Sequence, residues 1–219
     1  MPPQQDPGFA SRLSASLAAS IEGLDRAAAV RACLNAVHSA EIDISDLYTL
    51  VLGPLLAHIG SNWQHGTERI WQEHFASHVV RTIVEALYPD VEREATAVPR
   101  VGSSVLLACP PKEQHELGLR MLADRFELAG YGVTFLGADT PLDEIVSAAH
   151  ATRARLVALS VSTVFERVEL RRFIDTLREQ LPGVRIVIGG PAFAHDRQWP
   201  AEDLLDTQEF GLPGSHVVG

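Results

Sequence analysis

Between Phe9 and about Leu87 apolar residues recur at the three-and-four spacing of helices, and no period-two alternation interrupts them. Four helices fit this stretch, roughly 8–22, 24–39, 43–63 and 67–88. Gly23 separates the first two, Asp43 and Ser45 are placed to cap the third, Gly66 ends it, and Thr67 can cap the fourth. The short connections predict antiparallel neighbours and a four-helix bundle over residues 9–88. Residues 89–102 are polar and hold two prolines, which predicts a linker. Beyond it the pattern changes. Short apolar runs at 103–109, 132–136, 155–160 and 184–188 alternate with helical segments at 116–129, 142–152 and 165–181. That alternation predicts an α/β domain over 103–219, a doubly wound parallel sheet with helices on both faces. The tail from His195 fits one short helix near 201–206 and shows no obvious last strand. Residues 1–8 hold three prolines and are expected to be disordered.

Composition narrows the function. The chain has 219 residues, of which 46% are apolar, so a sizeable core can be buried. Its net charge is −10, and a single lysine, Lys112, stands among 18 basic residues. With no basic stripe, direct nucleic-acid binding is not expected. The two cysteines, Cys33 and Cys109, fall in different predicted domains, which predicts free buried thiols rather than a disulfide. No signal peptide or membrane-length apolar run is visible, so a soluble cytoplasmic protein is expected.

The chemistry concentrates after the first predicted strand. Residues 113–118 are Glu-Gln-His-Glu-Leu-Gly, following an apolar run that ends at Cys109. In open α/β sheets ligands bind beyond the carboxyl ends of the strands, so His115 lies where a ligand is expected. Glu113 is close enough to orient one ring nitrogen while the other binds a metal. Gly118 removes a side chain where something bulky must pass the backbone. Two further signals are Ser160-Val161-Ser162 at the third strand end and Gly189-Gly190 at the fourth. The serine hydroxyls can donate to a nucleotide tail, and the paired glycines open room for a planar base. His74 and His78, four apart on one helix, could bind zinc, but no third ligand is placed to complete such a site. A nicotinamide fingerprint is excluded, because Pro110-Pro111-Lys112-Glu113 stands where its glycine-rich turn must be. Arg171-Arg172 is expected on a solvated face.

At these separations, 41 residues from Gly118 to Ser160 and 26 from Ser162 to Gly189, residues 103–194 resemble the cobalamin-binding signature Asp-x-His-x-x-Gly, Ser-x-Leu, Gly-Gly. Glu113 replaces the usual Asp and Ser162 the usual Leu. The resemblance implies a flavodoxin-like domain in which His115 replaces the dimethylbenzimidazole base as lower cobalt ligand. A second resemblance lies in the helical segment. Trp63, followed after nine residues by Glu73-His74, is similar to the Trp-x₉-Glu-His motif of light-responsive, adenosylcobalamin-dependent regulators of the CarH type. It implies that Trp63 packs over the upper axial ligand, that Glu73 bonds the adenosyl ribose, and that His74 faces cobalt from above. In those regulators a histidine follows the tryptophan and binds cobalt after photolysis. Here Gln64 stands there, so either no two-histidine state forms after light or it needs His65 or His74 as the upper ligand.

The regulators place a helix-turn-helix domain before the cobalamin module, and this chain is expected to be the sensory module alone. The resemblance therefore implies a non-enzymatic, light-sensing signalling protein that binds adenosylcobalamin and acts through an unidentified protein effector, with a homodimer as the expected assembly. The related photocobilins also bind a bilin such as biliverdin. The alternative is a corrinoid methyl-carrier protein of a methyltransferase system, which joins a helical bundle to the same kind of sheet domain.

Overall fold

The computed structural model describes residues 8–64, 69–162, 167–193 and 199–213, without the side chains of 61–64 and 167. These fall into two compact units, residues 8–91 and 92–212.

The first unit is all helical. Helices α1 (Phe9–Glu22) and α2 (Arg26–His38) are separated at Gly23, as the pattern predicts. The carboxylate of Asp25 caps α2 by accepting from Ala28 N. Leu13 and Leu17 of α1, and Ala29, Cys33 and Ala36 of α2, are buried at helical spacing. The third helix is composite: one turn, α3 (Ile44–Asp46), a π-helical segment (Leu47–Leu52), then α4 (Gly53–Gln64). Asp43 caps it through a 2.7 Å bond from Asp46 N. Ser45 does not cap; it is buried, and its hydroxyl has no hydrogen-bond partner. The wider ladder ends where Gly53 N–H donates to Tyr48 O, five residues back, just before Pro54, which has no N–H to give.

Helix α5 runs from Ile70 to Ala97, so residues 89–97 are helical where a linker is expected. Pro89 lies inside it, exposed, on the solvent side. A proline removes one helical bond, and here a buried stripe carries the helix across the break: Ile83, Leu87, Val91 and Ala95 recur every four residues. Asp90, also buried, accepts a 3.1 Å bond from His38 Nε2. The expected caps Gly66 and Thr67 lie outside the described residues. At the described start of α5, the Gln72 side chain accepts from Arg69 N at 2.9 Å, half of a capping box.

The second unit is a four-stranded parallel sheet in the order β2-β1-β3-β4, with β1 (Ser104–Ala108), β2 (Gly132–Gly137), β3 (Leu156–Ser160) and β4 (Arg185–Gly189). Helices α6 (Leu117–Leu128), α7 (Leu142–Thr152) and α8 (Arg167–Gln180) alternate with the strands. Successive strand residues serve opposite faces. Leu106, Val157, Leu159 and Ile186 pack with α7 and α8, while Val105, Leu107, Ala158 and Val187 pack with α6. The order is flavodoxin-like, and it reverses between β1 and β3.

After β4 comes no full fifth strand among the described residues. Leu204 makes a single parallel bridge to Ile188, with Leu205 N–H donating to Ile188 O at 2.8 Å. A 3₁₀ turn at Ala201–Asp203 stands where a short helix is expected. The chain then packs Leu205, Phe210 and Leu212 into the α6 face. Phe210 meets Phe126 edge to face, and its carbonyl accepts from Tyr131 Oη. Arg185 pairs with Glu209, and Arg178 with Asp203. This strap covers apolar surface on the α6 side of the sheet. Arg171 is not simply solvated: its guanidinium lies 4.8 Å from the ring centroid of buried Trp199.

Candidate functional site

Cys109 follows β1 directly, and the loop from Pro110 to Glu116 leads into α6, so the site sits beside the reversal in strand order. A second loop laces this one in place. Lys112 N–H donates to Asp139 Oδ1 at 2.7 Å, Asp139 N–H to Glu113 O at 2.9 Å, and Thr140 N–H to Cys109 O at 3.0 Å. Glu116 accepts from Ala138 N at 2.9 Å. Lys112 and Asp139 hold left-handed backbone angles (φ 71° and 50°), which these bonds stabilise.

Glu113 is the anchor. Its side chain is fully buried, yet every donor it needs is supplied. His115 N–H donates to Oε1 at 2.8 Å, and His115 Nδ1–H to the same oxygen at 2.6 Å. From the end of β3, Ser162 N–H donates to Oε2 at 2.7 Å, and Ser162 Oγ lies 2.9 Å from both oxygens. Burial alone would raise the Glu113 pKa. The bonds from the Ser162 and His115 backbones, the ring and the hydroxyl outweigh burial and pull it down to about 2.

An ionised carboxylate only accepts, so the proton of neutral His115 must sit on Nδ1. The lone pair is then on Nε2, and the ring is 63% exposed. That is the arrangement a metal-ligating imidazole needs. Space beside it is also open, since a methyl group at Gly118 would meet no atom within 4 Å. These residues therefore fit a cobalt corrin approached from the His115 side: a pre-oriented nitrogen donor, and a glycine that leaves its neighbourhood clear. Cys109 is no competing ligand. It is buried and free, and its thiol is pushed up to about 12 by burial and by the charges of Glu113 and Glu116. Cys33 is also free, its thiol raised to about 12 by burial.

The remaining predicted residues behave differently. Ser162 bonds Glu113 rather than standing free for a nucleotide tail. Ser160 ends β3 with its hydroxyl beside Gly190. Gly190 does not open room: its φ is +107°, and a methyl group there would lie 2.5 Å from Val161 O. Its lack of a side chain is required by the chain's own crossing. At Gly189 the corresponding space faces Leu205 at 3.6 Å, so the tail occupies it.

In the helical unit, Glu73 lies in the first turn of α5 and His74 directly follows it, nearer the helix start than the sequence suggests. Glu73 Oε1 accepts from Ser77 Oγ at 2.7 Å, and His74 Nε2 lies 3.5 Å from Glu73 Oε2. Both are accessible, His74 at 66% and Glu73 at 28%. Trp63 belongs to α4, but its side chain, with His65, lies outside the described residues. Sequence reasoning missed Glu116 and Asp139. The only signal for Asp139 is its place in Gly137-Ala138-Asp139-Thr140, a turn-forming run.

Two family models match, each described as a B12 binding domain: one over residues 103–207 and one over 13–88. The chain is 35% identical over 143 residues to the HTH-type transcriptional repressor CarH of Myxococcus xanthus, covering 65% of this chain and 46% of that protein. It is 32% identical over 190 residues to the repressor CarA of the same organism, covering 86% of this chain and 61% of that one. Thus it spans 46% and 61% of the length of these two relatives. Among solved structures, the monomethylamine corrinoid protein of Methanosarcina barkeri has a similar fold, with a TM-score of 0.73 at 18% identity over 90% of this chain and 91% of that one. No helix of the described residues is long and apolar enough to cross a membrane. With its helical and sheet segments both matched by models of that description, the chain belongs to the B12-binding family, and its resemblance within that family is to the CarH type.

Proposed function

We propose that this chain is a light-sensing signalling protein that holds adenosylcobalamin base-off, with His115 as the lower cobalt ligand. The observation that carries the reading is the bond from His115 Nδ1–H to the buried Glu113 carboxylate, which presents Nε2 outward. Bound adenosylcobalamin supplies a Co–C bond that visible light breaks. The protein's part is ligation, orientation and signalling. Glu113 fixes the ring, Gly118 leaves room, and Trp63, Glu73 and His74 contact the upper group. Glu73 and Trp63 would hold that group, and the helical unit would respond to its loss. With that group gone, His74 or His65 would be the residue available to the upper side. The signal passes to a protein effector, with a homodimer as the working assembly and no catalytic turnover. The similarity to CarH and CarA supports the regulatory reading.

The test is an absorption spectrum of purified protein with adenosylcobalamin, first in the dark and then under light. The proposal expects a bound base-off spectrum that changes on illumination; an unchanged spectrum rejects it. Preference for methylcobalamin, with methyl transfer to a partner enzyme, would favour the methyl-carrier role instead. Adding biliverdin tests the second chromophore: a red band that co-elutes with the protein supports it, and its absence removes it.

A further inference from the structure

Both places where the sheet domain departs from the cobalamin signature meet at one carboxylate. Glu113 stands where the signature has Asp, and Ser162 where it has Leu. Ser162 reaches Glu113 twice, through its N–H at 2.7 Å and its hydroxyl, whose oxygen is 2.9 Å from each carboxylate oxygen. A carboxylate offers about four acceptor sites. Here four donors fill them: two groups of His115 and two of Ser162.

Each departure makes sense only with the other. An aspartate at 113 is one methylene shorter, about 1.5 Å, enough to take bonds of this length beyond hydrogen-bond range. A leucine at 162 keeps the backbone N–H but gives no hydroxyl, leaving a buried glutamate one donor short. We infer that Ser162 is a positioning residue coupled to Glu113. Its hydroxyl straddles both oxygens and holds the carboxylate plane so that Oε1 faces the Nδ1–H of His115. It thereby fixes which ring nitrogen is offered to the metal. The inference rests on His115 as the lower ligand, but the clamp is a property of the protein alone and can be read without corrinoid.

The experiment is nitrogen NMR of the cofactor-free protein labelled with ¹⁵N-histidine. Wild type and Ser162→Thr, which keeps a hydroxyl, are expected to show His115 protonated at Nδ1 and bare at Nε2. Ser162→Ala is expected to show averaged tautomers, and cobalamin affinity lower by roughly ten- to hundredfold, the usual loss when a partner of a ligating histidine is removed. Glu113→Asp and Ser162→Leu should each weaken binding, and the double variant should lose less than the product of the two factors. Thermal melts establish that each variant folds, and Ser162→Ala, the smallest change, decides the matter if Ser162→Leu does not. A wild-type tautomer in Ser162→Ala, or fully multiplicative losses in the double variant, overturns the inference. If His115→Ala binds cobalamin as well as wild type, the lower-ligand reading fails, while the tautomer result still decides the clamp.

Discussion

The loop that presents His115 and the turn that presents His74 pair a histidine with a glutamate in opposite ways. Glu113 is buried and meets four donors from two segments of chain, so its histidine is fixed before any ligand arrives. Glu73 is accessible, is bonded by Ser77 one helical turn away, and touches His74 only at 3.5 Å. The first pair is built as a permanent fixture. The second remains free to take contacts that depend on what is bound. Under the proposed function, the fixed pair would hold the cofactor and the accessible pair would respond to what is bound.

The largest expected effect is on ligation. His115→Ala should weaken cobalamin binding by at least about 100-fold, more than removal of any orienting partner, as read by titration of the absorption spectrum. Glu73→Ala, by contrast, should leave dark binding within about tenfold and mainly alter the response to light. Equal losses in the two variants would erase the contrast.

Acid tests the buried Glu113 pair on its own. Because the folded-state Glu113 pKa lies near 2, its stabilisation is complete above the ordinary carboxylate range and is lost as pH falls through about 2. The contribution is on the order of 3 kcal/mol. Urea unfolding of wild type should weaken over that window, and Glu113→Gln should remove this part of the dependence.

The glycines sharpen the same distinction within the sheet domain. Gly190→Ala should destabilise the fold by about 2 kcal/mol or more, from the left-handed backbone and the approach of Val161 O. Gly118→Ala, in open space, should change stability by no more than about 0.5 kcal/mol while lowering cobalamin affinity. A melt and a binding titration on each variant check both.

What the sequence made legible was the periodic part of the molecule and the shortest-range chemistry. The strand runs, the break at Gly23 and the Glu113–His115 pair all depend on residues near one another in the chain. Pro89 misled because a proline marks a break locally, whereas Leu87, Val91 and Ala95 continue the buried stripe past it. The π segment before Pro54 leaves no periodic trace, since one extra residue per turn is absorbed within the buried run. The strap after β4 is built from separated residues, Leu205, Phe210 and Leu212, rather than from a run. Ser162 could not be assigned to Glu113 from sequence, because 48 positions lie between them and only the β1–β3 pairing brings them together.

The central claim is tested most directly by electron paramagnetic resonance of the Co(II) form bound to protein carrying ¹⁵N-histidine. Axial coordination by His115 predicts that the nitrogen triplet seen with unlabelled protein becomes a doublet, and that the doublet is lost in His115→Ala. A triplet unchanged by the label would mean that the cofactor's own base remains on cobalt, and would contradict the account.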